Sequence, residues 1–403
     1  MSYAIVDLDV DALPEAVVCP ADRTGLAFRF RSGDRPIGAV MQAFTPGTVI
    51  DRETVRQIAG ADVAERRLAL ALEPRPADAP PLPSLTIAIC TKDRAVRLAR
   101  LLDGLAPVVA GSPFAATRVI VVDNASSDTA THDVCARRPW ARYVREPKAG
   151  LDFARNAALF AADTDLIAYL DDDVVVDAHW AHGLARAWRS RPDAGGFTGL
   201  VLAYRLDTAA QIAFEERGGF GRGFRRREVH GDDGENGLHP VGAGTMGAGC
   251  NMAFDRRLVV ALGGFDEALD TGGPVPGGGD LDIFYRVLRS GRPMIYEPAY
   301  LVFHEHRETI EQLRRQYWTW GLGFAAFLTK ASRHDPALRP RQRALVRWWL
   351  ADQLRRLLGA WRHGTRQEVG FAWAELRGGL VGGAGEYDRS RRRVSAIRRR
   401  VAE

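Results

Sequence analysis

The feature that most constrains this chain is the stretch Leu166-Ile167-Ala168-Tyr169-Leu170-Asp171-Asp172-Asp173-Val174-Val175-Val176-Asp177. An apolar run meets three adjacent carboxylates and then turns apolar again. A buried strand rarely tolerates one unpaired charge, so three side by side at its end ask for a partner. On extended backbone alternate side chains share a face, which sets Asp171 and Asp173 on one side and Asp172 on the other. Two hard oxygen ligands on one face suit Mg2+ or Mn2+, with substrate phosphates filling the open positions. The bland alternative is a solvated acidic turn, and the rest of the chain has to decide.

With 403 residues and 46% apolar residues, the chain has ample material for one large domain with additions, or for two to three domains. Cys19, Cys90, Cys135 and Cys250 are scattered without the close spacing of a zinc site, which argues for a reducing compartment. No basic stretch followed by an apolar core opens the sequence, and no apolar run nears the roughly 20 residues of a spanning helix. The expected location is cytoplasmic, with the inner face of the cell membrane as a docking place. The charge is uneven: from Leu338 onward 16 arginines face 6 acidic residues, an excess of +10 (16 − 6) in a chain of net charge +5. An acidic body with a basic tail suits a cation site plus a tail that meets anions.

Residues 1–73 read as a small α+β piece, with strands at Ala4-Ile5-Val6, Gly25 to Phe30 and Ile37 to Phe44 and a helix capped by Asp51. A proline-rich linker over 74–83 marks the boundary. Asp7-Leu8-Asp9 imitates a metal motif without any companion ligand. From Ser84 the pattern becomes regular: strands at 85–90, 118–122, 141–144 and 166–170, each followed by an amphipathic helix or a turn into one. Continuous apolar strands alternating with helices predict an α/β fold with a mostly parallel sheet and helices on both faces. In such sheets the ligand crevice lies beyond the carboxyl ends of the strands. Asp93, Asp123 and Asp171 to Asp173 each follow a strand end, so the fold gathers them on one rim. N-capping accounts for Asp128 just as well.

Four motifs now stand in order: Thr91-x-Asp93-Arg94, Val121-Val122-Asp123-Asn124-Ala125-Ser126, Gly150-Leu151-x-x-Ala154-Arg155-Asn156 and the acidic triplet. Together they resemble family 2 glycosyltransferases of the GT-A fold, over about residues 84–310. The resemblance implies a nucleotide-diphosphate-sugar donor (UDP- favoured, GDP- or dTDP- as alternatives), a divalent metal, Mn2+ or Mg2+, and inversion at the anomeric carbon. It implies a donor-binding set of Thr91, Asp93, Arg94, Asp123, Asp152, Arg155, Asp171 and Asp172, with Asp173 on the metal. Family members usually carry Glu-Asp where this chain has Gly279-Asp280; the resemblance assigns Asp280 as general base, at a helix start after a Gly/Pro loop. In metal-dependent relatives a histidine after the next strand completes the metal shell, which favours His304 over His306. Asp282, His306 and Asn251 are secondary candidates, Asp282 as a support of its helix and Asn251 at the end of the small-residue run from Gly247.

Other segments have plainer readings. Gly242-Ala243-Gly244-Thr245-Met246-Gly247 matches a dinucleotide fingerprint in spacing, but no good strand precedes it. Arg222 to Gly237 is glycine-rich and charged, a candidate mobile lid. Glu215 and Glu216 reach an acceptor or merely line a helix face. Residues 311–403 form a helical, arginine-rich extension in which Trp348, Trp349, Leu350, Leu354, Leu357, Leu358 and Trp361 alternate with arginines, suiting either a membrane interface or packing on the preceding domain. No nucleic-acid-binding module is present. The expected activity is transfer of a hexosyl unit to a saccharide, lipid-linked or small-molecule acceptor. Two rivals are a nucleotide-sugar-binding scaffold without turnover and a sugar nucleotidyltransferase, although Thr91-Lys92-Asp93-Arg94 lacks the glycine of a phosphate loop.

Overall fold

The computed structural model describes residues 1–73, 80–232, 237–269, 273–363 and 366–402. Most of the expected linker (residues 74–79) and part of the expected lid (233–236) lie outside them.

The N-terminal part builds β1 (Ala4–Asp9), β2 (Ala16–Val18), β3 (Gly25–Ser32), β4 (Arg35–Ala43), β5 (Val49–Asp51) and α1 (Arg52–Ala71). The Asp51 side chain caps α1 by accepting from the Thr54 backbone N–H. Strand β1 runs parallel to β3, which pairs antiparallel with β4. This unit is joined to the rest by a buried apolar cluster of Tyr3, Ala27, Ala203, Leu206 and Ile212, by a backbone bridge from Tyr3 to Leu206, and by charge and ring contacts. Arg31 meets Asp177 at 2.7 Å, and the Arg29 guanidinium lies 4.3 Å from the Phe303 ring centre.

The central part alternates β6 (Ser84–Thr91), α2 (Ala95–Ala110), β7 (Ala116–Asn124), α3 (Ala130–Ala136), β8 (Ala141–Glu146), α4 (Leu151–Ala161), β9 (Leu166–Asp171), β10 (Val174–Val176) and α5 (Trp180–Ser190). It continues with β11 (Gly196–Ala203), α6 (Ala209–Glu216), β12 (Arg227–Val229), β13 (Asn251–Asp255), α7 (Arg256–Ala261), α8 (Gly279–Arg289) and β14 (Met294–His304). The sheet order is β10-β14-β11-β13-β9-β6-β7-β8, with β12 also paired to β14. Strands β8, β7, β6 and β9 are parallel, whereas β13 runs antiparallel to both β9 and β11.

Alternation along β6 explains the two layers. Leu85, Ile87 and Ile89 pack with Leu98, Leu101 and Leu102 of α2 and with Trp180 of α5. Ala88 and Cys90 point the other way, toward Ala154 and Ala158 of α4 and Phe284 of α8. Each fully buried leucine or isoleucine contributes about 1.5–3 kcal/mol, so both faces are firmly held. The register then fixes the rim: Thr91 lies opposite Asp123, and Cys90 opposite Asp171.

The segment read as a lid is in part a strand. Its residues Arg227–Val229 pair with β14, the Arg226 guanidinium donates to Glu297, and the Tyr296 hydroxyl donates to the Gly223 carbonyl. Residues 222–229 are therefore seated on the sheet, because paired backbone and a buried carboxylate outweigh the polarity read from sequence.

The C-terminal part comprises α9 (Ile310–His334), α10 (Arg339–His363), α11 (Arg366–Val381) and α12 (Tyr387–Ala402). Helices α9 and α11 cross at backbone contact. A Cβ on Gly321 would stand 1.9 Å from the Glu375 carbonyl oxygen, and one on Gly378 2.0 Å from that of Trp318. The arginine-rich end packs on the central part through α12, where Val394 is buried and Arg393 donates to the Ala149 carbonyl.

Candidate active site

The turn after β9 is the centre. Asp172 and Asp173 are 3% and 4% exposed, a costly place for carboxylates unless they are met by donors or cations. Asp172 has its donors: the Thr91 hydroxyl at 2.7 Å and the Arg94 guanidinium at 2.8 Å. Burial still raises its carboxyl above the usual range, against the pull of Arg94. Arg94 also reaches Asp173 Oδ2 at 3.4 Å. The other oxygen, Asp173 Oδ1, is buried and accepts no hydrogen bond. It faces His304 Nε2 across 3.4 Å, at the end of β14.

A cation fits that gap. Ligand distances of about 2.1 Å place neighbouring ligand atoms on a small divalent ion roughly 3 Å apart. A neutral imidazole nitrogen and a carboxylate oxygen are both acceptable ligands for Mn2+. Burial, with His306 and Arg307 nearby, holds the His304 pKa well below its ordinary value, so the ring is neutral and free to ligate. Among the described residues no three His, Cys, Asp or Glu side chains form a complete cage. Two protein ligands with the rest from phosphate and water is the usual way Mg2+ is held.

Beside this pair stands a second group. Asp171 keeps 33% of its side chain open, yet its carboxyl is pushed up, first by burial and then by Asp173 and Asp172, with Arg155 opposing. Arg155 is buried; it donates to Asp152 at 3.0 Å and lies 3.9 Å from Asp171. Burial would strip its charge, but Asp152, Asp171 and Asp280 hold it. Asp280 stands in the first turn of α8, where Oδ1 accepts from Leu281 N and Oδ2 from Gly249 N at 3.2 Å. The Gly279 position has a physical reason: a Cβ there would lie 2.2 Å from Asp152 Oδ2. Asp152 thus fills with its carboxylate the space beside Asp280.

The outer rim holds Asp123 and Asp93. Asp123 is fully buried and accepts from Ser126 N, the Tyr143 hydroxyl and Arg145. Burial alone would raise its pKa, and these donors together bring it below the ordinary value. Asp93 is exposed and accepts from the Ser127 N–H and hydroxyl. It adopts φ 53°, and Ala125 in the facing loop φ 54°, strained positions costing about 1–3 kcal/mol each that cluster at functional sites.

The structure therefore brings Thr91, Arg94, Asp171, Asp172, Asp173 and His304 together, and sets Asp152, Arg155 and Asp280 beside them. Asp93 and Asp123 stand at the neighbouring strand end. Two secondary candidates stand apart. Asp282 binds Arg286 and Lys330, which ties α8 to α9. Asn251 is fully buried, accepting from Trp180 and donating to the carbonyls of Leu200 and Tyr300. His306 lies behind His304, its Nδ1 3.1 Å from His304 Nδ1 and its Nε2 2.6 Å from Glu215 Oε1. The sequence reading did not select Tyr143 and Arg145, although their place in the strand beside Asp123 is a usable signal.

Known proteins can now be set beside this geometry. Residues 86–256 match the Glycosyl transferase family 2 model. A pre-mycofactocin glycosyltransferase of Mycobacterium tuberculosis, in both strain CDC 1551 and strain H37Rv, is 28% identical over 263 residues. That match covers 64% of this chain, which spans about half (50%) of the length of those relatives. Among solved structures, a mannosyltransferase from Pyrobaculum calidifontis in complex with GDP-Man and Mn2+ aligns with TM-score 0.50 and 18% identity. It covers 81% of this chain and 93% of its own, and the likeness is one of fold.

Proposed function

We propose that the chain, whose residues 86–256 match the Glycosyl transferase family 2 model, moves a hexosyl unit from a nucleoside-diphosphate sugar to an acceptor hydroxyl with inversion. The observation that carries this reading is the buried, hydrogen-bond-free Asp173 Oδ1 aimed at His304 Nε2, within one rim with Asp280. Asp173 and His304 would hold Mn2+ or Mg2+, which when bound supplies stabilisation of charge on the departing diphosphate. Thr91, Arg94 and Asp172 floor the diphosphate side, while Asp93 and Asp123 order the Ser126–Ser127 turn at the nucleoside side. Asp171 and Arg155 flank the sugar. Asp280 takes the proton of the acceptor hydroxyl as that oxygen attacks the anomeric carbon opposite the leaving group. Residues 1–73 and 311–403 act as supporting units of the central domain. UDP is the favoured nucleotide, with GDP, the nucleotide of the sugar in the Pyrobaculum calidifontis complex, as the alternative.

A thermal-shift series with UDP, GDP and dTDP, each with and without Mn2+, tests donor binding. One nucleotide with Mn2+ is expected to stabilise the fold by about 2.7 kcal/mol at a hundredfold excess over Kd. Release of free sugar or product from the matching donor then separates an enzyme from a scaffold. If no nucleotide stabilises the chain with any divalent ion, the proposal falls.

The acceptor side favours a lipid surface. On α10, Leu350, Leu354, Leu358 and Trp361 recur at helical spacing and are all exposed, Trp361 at 80%. Arg347 and Arg362 stand on the same helix with no acidic partner among the described residues. No helix among the described residues is long and apolar enough to cross a membrane, so such an association would be peripheral. The chain is expected to sediment with vesicles containing phosphatidylglycerol, and less so in high salt. Changing Leu354 and Trp361 together to serine should abolish it. Equal sedimentation with pure phosphatidylcholine would remove the electrostatic part of the reading.

A further inference from the structure

We propose that Glu215 and His306 are positioning residues that fix the tautomer of His304 and so present its bare Nε2 to Asp173. The purpose of this arrangement rests on the metal reading above; its geometry does not.

The hydrogen count runs inward from α6. Glu215 Oε1 lies 2.6 Å from His306 Nε2, and a carboxylate can only accept, so Nε2 carries the hydrogen. In the tautomer that this contact selects, His306 Nδ1 is bare. His304 Nδ1 is 3.1 Å from it, and two bare nitrogens cannot share a hydrogen bond, so His304 carries its hydrogen on Nδ1. That leaves His304 Nε2 bare. It points at Asp173 Oδ1, which is buried and accepts no hydrogen bond. Two lone pairs therefore face one another across 3.4 Å, an unfavourable contact in a buried place and a favourable one around a cation.

The surroundings leave few other partners for the rings. Phe220 packs edge-on against His304 at 4.9 Å between centres, and Phe214 against His306 at 4.7 Å. The neighbouring acid, Glu305, is turned to Arg97, Arg100 and Arg205. Arg307, next to His306, opposes a second proton on His304. The polarity of the relay is thus set by a single carboxylate on α6, 91 residues away in the chain.

The test uses the full-length chain. Long-range 1H–15N spectra of the metal-free, histidine-labelled protein should show His304 protonated on Nδ1 and His306 on Nε2. Mn2+ affinity, read from the free-ion EPR signal with UDP or GDP present, should fall 10–100-fold in His306→Phe and Glu215→Ala. His306→Asn, which offers an amide oxygen in place of Nδ1, should retain most of it, an outcome that a packing role alone would not give. A wild-type His304 protonated on Nε2, or a His306→Phe chain that binds Mn2+ as tightly as wild type, overturns the proposal. Should the variants fail to fold, the wild-type spectra alone still decide the relay. If wild type takes up no Mn2+, the metal reading fails while the tautomers still judge the relay.

Discussion

Asp280→Asn is expected to bind donor as wild type does and to transfer sugar about 10²–10⁴-fold more slowly, the range a general base contributes. The substitution is nearly isosteric. Its amide oxygen can accept from Leu281 N or from Gly249 N, the two donors Asp280 now serves, and the residue is only partly buried, so the fold should stand. What is lost is the anionic acceptor for the hydroxyl proton. Calorimetric donor binding beside a product assay makes the split visible: unchanged Kd, collapsed turnover. Full turnover in this variant would remove Asp280 from the role of base.

Asp173→Ala should give effects of opposite sign on stability and on binding. In the metal-free chain Asp173 adds negative charge beside Asp171 and Asp172, and one of its oxygens has no hydrogen-bond donor. Removing it relieves that repulsion at the cost of one contact with Arg94 and a small cavity, so Tm without metal should hold or rise slightly. Nucleotide binding that depends on Mn2+ should be lost, because one of two protein ligands has gone. Removing the metal with EDTA should reproduce that loss in wild type and change nothing further in the variant. A Tm drop of many degrees without metal would identify Asp173 as a structural residue instead.

How much of this was legible beforehand follows from the range of the interactions. Strand ends and the acids after them are local in sequence, and a parallel sheet brings such ends to one edge, so Asp93, Asp123 and Asp171 to Asp173 could be placed from spacing alone. What spacing could not show were partners chosen by tertiary register. Glu215 looked like one face of an exposed helix, yet it meets His306 because α6 packs beneath the end of β14. Asn251 closes a glycine-lined run that suggested approach to a sugar, but β13 turns its amide inward to bond Trp180 and two carbonyls. Residues 222–229 are polar enough for a loop, and only the Met294–Tyr296 stretch of β14, which β10 leaves uncovered, makes Arg227–Val229 a strand. The departure at Gly279 read as a missing carboxylate, and the fold supplies one from α4 in its place.

The helix that carries Asp280 has an unusual seat. A Cβ on Gly323 of α9 would lie 2.7 Å from the Gly277 carbonyl carbon, and one on Gly278 would lie 2.8 Å from the Gly323 oxygen. The backbone leading into the proposed base thus rests directly on the backbone of the C-terminal extension, with no side chain between to act as a cushion. A tilt of α9 would meet the backbone at Gly277 and Gly278 before any side chain could absorb it. The C-terminal extension thus props, through α9, the loop that leads into α8.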